Sequence, residues 1–531
     1  MSPTPLQTPV SRRVANLANF LRASARRSPD APAVIRGEAV TLWRDFDARV
    51  DALAAGLREA GIAKGDRVLV QARNSLAMFE SMFACFRLGA VWVPTNYRLL
   101  AKDVAYIAGS SGARAMILDS IFPESLQAVR DAAPDLVLAV SIGGALDGTV
   151  GYEDLLARHA GASVPEAAVD YDDPCWFFFT SGTTGHPKAA VLTHGQMSFI
   201  VTNHLADLMP GLAPGETSLV VAPLSHGAGI HQLAQVARAG TTVLTGGDSL
   251  DPEEVFALIA QHRVRNLFTV PSIVKRLVEH PAAAQHDHSS LRHVIYAGAP
   301  MYRADQVKAL QVLGKCLVQY FGLGEVTGCI SVFTADLHDV DDDVQGRLDT
   351  CGVARTGMQI GIFDEDGTEQ PAGTVGEICV IGPGVFAGYY DNPEANAKAF
   401  RDGWFRTGDL GFLDEAGFLT ITGRASDMYI SGGSNIYPRE VEEVLLHHPA
   451  IRDVAVLGLP HPDWGEIGVA AVVLEEGAAL DLPALGGWME GKVARYKQPR
   501  ELEFFDDLPK SGYGKVTKKL VREAILARRQ D

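Results

Sequence analysis

Cysteine is scarce in this chain, with six in 531 residues: Cys85, Cys175, Cys316, Cys329, Cys351 and Cys379. None forms a C-x-x-C pair or stands beside a histidine cluster, which points away from a disulfide framework and a zinc site and makes a reducing cytoplasm the expected compartment. Long apolar runs are missing too. No segment reaches the ~18 uninterrupted apolar residues of a membrane span, and the opening MSPTPLQTPVSRRVANLANF lacks a signal-peptide apolar region. Excess positive charge is also absent. The formal net charge of −17 argues against a nucleic-acid partner, whose phosphates demand Lys and Arg clustered over a whole face. Small anions need only local positive potential. The stretch from Lys510 to Asp531 offers it, with Lys510, Lys515, Lys518, Lys519, Arg522, Arg528 and Arg529 against Glu523 and Asp531, although most of these read as a solvated helix face.

The length exceeds one compact core, so two or more domains are expected. Residues from about 15 to 350 alternate helical patterns with short β-branched runs, as in VDALAAGLREAGI followed by DRVLVQ, which predicts an α/β fold with largely parallel sheets. From Cys351 to Gly423 the chain turns to short strands rich in glycine, with an Asp366-Gly367 turn, and predicts a small antiparallel unit. Past Arg424 helices and strands form a compact α+β unit. No internal repeat is visible.

Thr180 to Lys188 reads TSGTTGHPK, directly after the apolar run Trp176 to Phe179. Gly182 and Gly185 allow backbone N–H groups to converge on an anion; Ser181, Thr183 and Thr184 add hydroxyls, and Lys188 adds a mobile positive charge. A phosphate suits such a loop. The glycine spacing is not that of a Walker A loop, and on its own the cluster also reads as a polar turn. Two carboxylates stand in similar company. Asp409, between Gly408 and Leu410, could reach sugar hydroxyls, and Glu325 in GLGEVTG is suited to hold Mg²⁺.

Taken in order, FFFTSGTTGHPKAAVLTH, YAGAP, YFGLGE, WFRTGDLG, GRASDMYISGGSNIYPREVE and GYGKVTKKLVRE resemble the motifs of the acyl-adenylate-forming superfamily, which contains acyl-CoA synthetases, adenylation domains of peptide synthetases and firefly luciferase. The resemblance runs over essentially the full length. It implies a large N-terminal domain, 1–425, of two parallel-type sheets with helices plus a small β-barrel unit, and a small mobile α+β domain, 426–531. It further implies ATP, Mg²⁺ and coenzyme A, and two steps: a carboxylate attacks the α-phosphate to give acyl-AMP and pyrophosphate, then a thiol displaces AMP. The expected product is an acyl-CoA. Transfer to an amine or a free-standing carrier protein is the alternative, and a catalytically silent nucleotide binder is disfavoured.

By the same resemblance Thr180, Ser181, Gly182, Thr183, Thr184, Gly185 and Lys188 wrap the ATP phosphates. Gly298, Ala299 and Pro300 contact adenine, with Phe321 and Gly322 as its stacking surface; Asp409 holds the ribose hydroxyls, and Arg424, at the start of the hinge segment, is a further cofactor-binding residue. Glu325 holds Mg²⁺, and Lys515 bridges carboxylate and α-phosphate, anchored by a helix face of Val516, Leu520 and Ala524. Gly432, Gly433 and Trp464 belong to the thiol tunnel and coenzyme A side. The rotation between steps falls on Ser426 or Asp427. One departure concerns the pattern Tyr-Gly-x-Thr-Glu, which here is Phe321-Gly322-Leu323-Gly324-Glu325, so the threonine hydroxyl is absent at Gly324.

The acid pocket is implied around PLSHGAGIHQ. His226 reads as a gate or as a satisfied core histidine. Gly227, Ala228 and Gly229 are small and leave tail volume, with Val270, Pro271, Tyr296, Leu323 and Thr327 as walls. No arginine in PLSHGAGIHQ or LFTVPS answers a second carboxylate, so an uncharged medium-chain or aromatic acid is expected. The partners are small molecules, and a homodimer is left open.

Overall fold

Strand Pro174–Thr180 shows how this chain builds its interior. Successive side chains of a strand point to opposite faces, and here Trp176 and Phe178 join the core between the two large sheets while Phe177 and Phe179 join the core on the outer face. The computed structural model describes residues 13–180, 187–247, 249–299, 301–424, 427–431, 434–510 and 516–529. Its strands form a 7-stranded, a 14-stranded and a 5-stranded sheet.

In the 7-stranded sheet Arg67–Gln71, Val91–Pro94, Ala113–Asp119 and Leu138–Ile142 run parallel, Pro174–Thr180 joins them in parallel, and Lys188–Thr193 turns back antiparallel at the edge. The 14-stranded sheet has a parallel half containing Thr217–Val220, Asn266–Thr269, His293–Tyr296 and Leu317–Phe321. Pairing becomes antiparallel at Ser331–Phe333 and continues through Thr350–Ala354, Phe418–Arg424, Trp404–Leu413, Gly376–Ile381 and Gln359–Phe363. The expected barrel-like unit therefore takes the form of a continuation of this sheet, along one open path of strands.

The main core lies between the two large sheets and takes residues from both. Helices Leu76–Leu88 and Gly227–Ala237 are buried almost all round, as expected for helices without a solvent face. Rings of Phe46, Phe79, Phe83 and Phe86 fill the space beside the first at 5.2–6.0 Å. Closing this core brings the ends of strands from the two sheets together, and the candidate site lies there.

From Tyr429 onward the strands make their own sheet, centred on the hairpin of Ile451–His461 and Gly465–Leu474. Alternation along the hairpin feeds two cores. Val454 and Val456 pack with helix Pro438–Leu445, while Ala455 and Leu457 pack with helix Lys518–Arg528. That last helix buries Val521 and Ile525, with Ala524 of the expected stripe packed beside them and Leu520 partly exposed; it begins at Lys518, and Val516 is 37% exposed and bridged to Lys510. Lys518 is paired with Glu442 across the unit. Among the described residues no helix is long and apolar enough to cross a membrane.

Candidate active site

Thr180 and Lys188 face each other at the end of an antiparallel pair, so the segment between them starts and finishes at one place. Ser181, Gly182, Thr183, Thr184 and Gly185 lie outside the described residues. Thr180 Oγ1 donates to Glu325 Oε1 at 2.8 Å, and the Tyr389 hydroxyl donates to the same oxygen at 2.9 Å. Glu325 is 6% exposed, so both bonds are made in a poorly hydrated place where charge-assisted hydrogen bonds are strong. Burial, then the Glu325 charge, pushes the Tyr389 phenol far above its usual range, which keeps it a donor. Lys188 Nζ stands 4.3 Å from the centre of the Tyr389 ring. One tyrosine thus orients the carboxylate with its hydroxyl and attracts the loop lysine with its face. The sequence reading missed Tyr389, for which GYYDNPEAN was the available signal: Asn396 Oδ1 accepts from the Tyr389 N–H at 2.7 Å and fixes that corner.

Asp409 lies opposite Arg424 in the next antiparallel pair and accepts from its Nε at 3.0 Å. Asp409 is 4% exposed, and burial pushes its pKa up against the pull of Arg424, with the charges of Asp427 and Glu325 also contributing. The two carboxylates therefore share one region. Residues Thr269, Tyr296 and Gln319 are in register on neighbouring parallel strands, so Val270, the Gly298-Ala299 turn and the Phe321-Gly322 turn all leave the sheet at its carboxyl end, where α/β sheets bind ligands. Gly298 and Ala299 are exposed, and Pro300 lies outside the described residues. Gly322 is required by close approach, since a Cβ there would lie 2.3 Å from Gly328 Cα.

His226 precedes helix Gly227–Ala237 and is partly exposed. Ser225 Oγ lies 3.3 Å from its Nδ1, and its ring is 4.9 Å from that of Phe178. Beside it the Phe268 ring stacks on His231 at 4.4 Å with 16° between planes, and Tyr320 continues the stack at 5.9 Å. Burial pushes the His231 imidazole down to about 3, so this ring stack is uncharged at neutral pH. Behind it lies Arg355, fully buried, with Nη2 3.2 Å from His204 Nδ1 and Nε 3.6 Å from Asp207. Its charge is answered by Asp207. Phe268, His231, Tyr320 and Arg355 were not singled out from the sequence. Leu323 and Val270 are partly exposed at the cleft, while Thr327 is 3% exposed and left-handed at φ +49°.

Two expectations need correction. Tyr296 is not a pocket wall: it is fully buried in the outer core, and its hydroxyl meets Gln319 at 3.1 Å and His338 at 3.2 Å. Strand alternation sends its neighbours Ile295 and Ala297 inward instead. Nor do the glycines after His226 leave tail volume. A Cβ on Gly227 would lie 2.6 Å from the Phe268 ring, and one on Gly229 would lie 2.1 Å from the Leu224 carbonyl oxygen and 3.1 Å from Trp176. They permit close packing.

On the small unit Trp464 ends the long hairpin, 41% exposed, with the Arg500 guanidinium 3.9 Å above its ring. Ser431 pairs with Gly465 beside it, and Gly432 and Gly433 lie outside the described residues. Asp427 sits in a tight turn, its N–H donating to Arg424 O at 3.0 Å. Ser426 and Lys515 lie outside the described residues.

The chain is similar to known proteins over most of its length. A feruloyl-CoA synthase from Amycolatopsis sp is 37% identical over 500 residues, covering 94% of this chain and 96% of the relative. An indoleacetate–CoA ligase from Aromatoleum aromaticum is 33% identical, covering 96% and 98%. The solved structure of an amide bond synthetase from Marinactinospora thermotolerans superposes with a TM-score of 0.85 at 27% identity, covering 96% of this chain and 99% of that one. Residues 21–390 match the model of the AMP-binding enzyme family and residues 440–515 that of its C-terminal domain, so the chain belongs to the AMP-binding enzyme family.

Proposed function

We propose that this protein is an ATP-dependent acid–CoA ligase acting on an uncharged aryl carboxylic acid. The observation that carries the reading is that Glu325, with its two hydroxyl donors, follows a strand of the same parallel set that carries Phe268, whose partly exposed ring is stacked on His231. The names of the feruloyl and indoleacetate relatives support an aryl acid.

In the first step a carboxylate oxygen attacks the α-phosphorus and pyrophosphate leaves; in the second the coenzyme A sulfur attacks the acyl carbon, AMP leaves, and the thiol proton passes to solvent. Like charges must meet in the first step. Lys188 and the 181–185 loop take the β- and γ-phosphates, Lys515 steadies the charge developing between carboxylate and α-phosphate, and Asp409 accepts from the ribose hydroxyls. The residues fit Mg²⁺: Glu325 is a single buried carboxylate whose two donors share Oε1, and among the described residues none reaches Oε2, which suits an ion that takes one carboxylate and several phosphate oxygens. When bound it would offset phosphate charge. Rotation of the small domain, 426–531, about Ser426 or Asp427 then exchanges Lys515 for the Gly432-Gly433 loop. Trp464 with Arg500 suits the adenine and 3′-phosphate of coenzyme A. The six cysteines are free buried thiols, which suits a cytoplasmic enzyme.

Likeness to an amide bond synthetase favours an amine as the alternative acceptor. The test is AMP formation from ATP with ferulate, indoleacetate, phenylacetate, octanoate and succinate, each with coenzyme A or an amine. Coenzyme A-dependent turnover led by aryl acids is expected. Turnover with amines alone, or led by succinate, would overturn the reading.

A further inference from the structure

Gly324 departs from the family pattern, and its surroundings account for the departure. A Cβ built on it would stand 2.7 Å from both Cδ1 and Cε1 of Phe178 and 2.9 Å from Cγ2 of Thr180. Gly324 is not among the left-handed glycines, so conformation does not demand glycine; space does. That space is occupied by Phe178. Its ring is partly exposed although it lies on an inner strand, because alternation turns it toward the cleft with Trp176, 6.0 Å away. On its other side it meets the His226 ring at 64° between planes.

We infer that Phe178 and Gly324 are a size-exchanged pair, in which the Phe178 ring fills the place of a side chain at 324 and forms the acid-pocket wall between Glu325 and His226, selecting flat aryl acids. The inference rests on the proposed acid–CoA ligase reading. A ring at this place presents its edge or face to an aryl group, whereas a threonine at 324 would present a methyl and a hydroxyl. The pair is also tied to the first step. A side chain at 324 must push Phe178 against His226 or draw Thr180 away from Glu325, to which its hydroxyl is bonded.

The experiment compares F178L, G324T, G324A and F178L/G324T by acid-dependent exchange of pyrophosphate into ATP, with phenylacetate and octanoate, and by thermal unfolding. Phe178→Leu should raise the KM for phenylacetate about tenfold, with kcat, the KM for ATP and the KM for octanoate changed less than about threefold. Gly324→Thr alone should cost about 10- to 100-fold in exchange with either acid through overpacking, and Gly324→Ala less. Adding Phe178→Leu should restore most of that loss and of the melting temperature. Losses that multiply independently in the double variant, or a KM that rises equally for both acids in Phe178→Leu, would overturn the inference. Thermal unfolding reads the pairing without substrate, so a wild-type protein inert toward aryl acids would overturn the substrate part while the restored melting temperature still reports the exchange.

Discussion

Thr180 and Glu325 are 145 positions apart, yet Thr180 Oγ1 donates to Glu325 Oε1 at 2.8 Å. Thr180 ends a strand of the 7-stranded sheet, and Glu325 follows a strand of the 14-stranded sheet. The carboxylate therefore acquires its orientation only when the two sheets close on their shared core, which links folding of the interior to assembly of the candidate site.

Tyr389 supplies the second donor to that carboxylate. Tyr389→Phe keeps the ring beneath Lys188 but removes the hydroxyl. Acid-dependent pyrophosphate release should fall by about tenfold to a hundredfold, the range set by ~1.5–3 kcal/mol for a hydrogen bond to a charged group, with thermal unfolding nearly unchanged. Tyr389→Leu should lose more. Equal rates for wild type and Tyr389→Phe would remove the hydroxyl from the mechanism.

Asp409 should show both a variant effect and a pH effect. Asp409→Ala should raise the KM for ATP by about tenfold or more and leave the KM for the acid alone. Only the ionised carboxyl accepts from ribose hydroxyls without competition, and burial raises its pKa. ATP binding should weaken as pH falls through that raised range. Arg424→Met removes the group that pulls the pKa down, so its acid limb should move to higher pH; an unmoved limb would separate Asp409 from nucleotide binding.

Stability should fall on mild acidification. Burial depresses His194 and His338 to about 4 each, whereas an unfolded imidazole titrates near ~6.5. The unfolded chain therefore binds more protons between those values, and the contribution, complete above ~6.5, is lost as pH falls toward about 4. Each imidazole costs on the order of 2 kcal/mol by pH 5. Urea midpoints at pH 7 and pH 5 measure this, and His338→Gln should narrow their gap. A gap left unchanged would place the acid sensitivity elsewhere.

Substitution at Gly229 tests the corrected pocket. With its missing Cβ aimed at the Leu224 carbonyl, Gly229→Leu should destabilise the chain and lower activity on short and long acids together. A selective loss on long acids in a normally stable variant would return Gly229 to the pocket wall.

The contrast between Glu325 and Tyr296 shows what the sequence could convey. Thr180, Glu325 and Asp409 stand in contiguous motifs whose glycines and hydroxyls mark a ligand loop, and in the structure Thr180 bonds Glu325 while Asp409 lies within electrostatic reach of it. Tyr296 ends His293–Tyr296, a strand buried on both faces. Such strands read as continuous apolar runs, so nothing in the string says which face a given side chain takes. Phe178 and Phe268 were hidden for the same reason. A glycine is equally ambiguous: Gly229 and Gly324 are both places where another atom already occupies the side chain's space, which only the packed structure reveals. Tyr389 and Arg355 act across contacts between distant segments, for which a single sequence has no local signature.

Single-turnover kinetics can separate the two steps, following acyl-AMP and acyl-CoA in the wild-type protein and in Lys515→Ala with an aryl acid. Acyl-AMP and pyrophosphate should form without coenzyme A, and added coenzyme A should convert the adenylate to thioester. Lys515→Ala should slow adenylate formation by on the order of 10²–10³, while thioester formation from supplied acyl-AMP is much less affected. No acyl-AMP in the wild-type reaction, or equal slowing of both steps by Lys515→Ala, would contradict this mechanism.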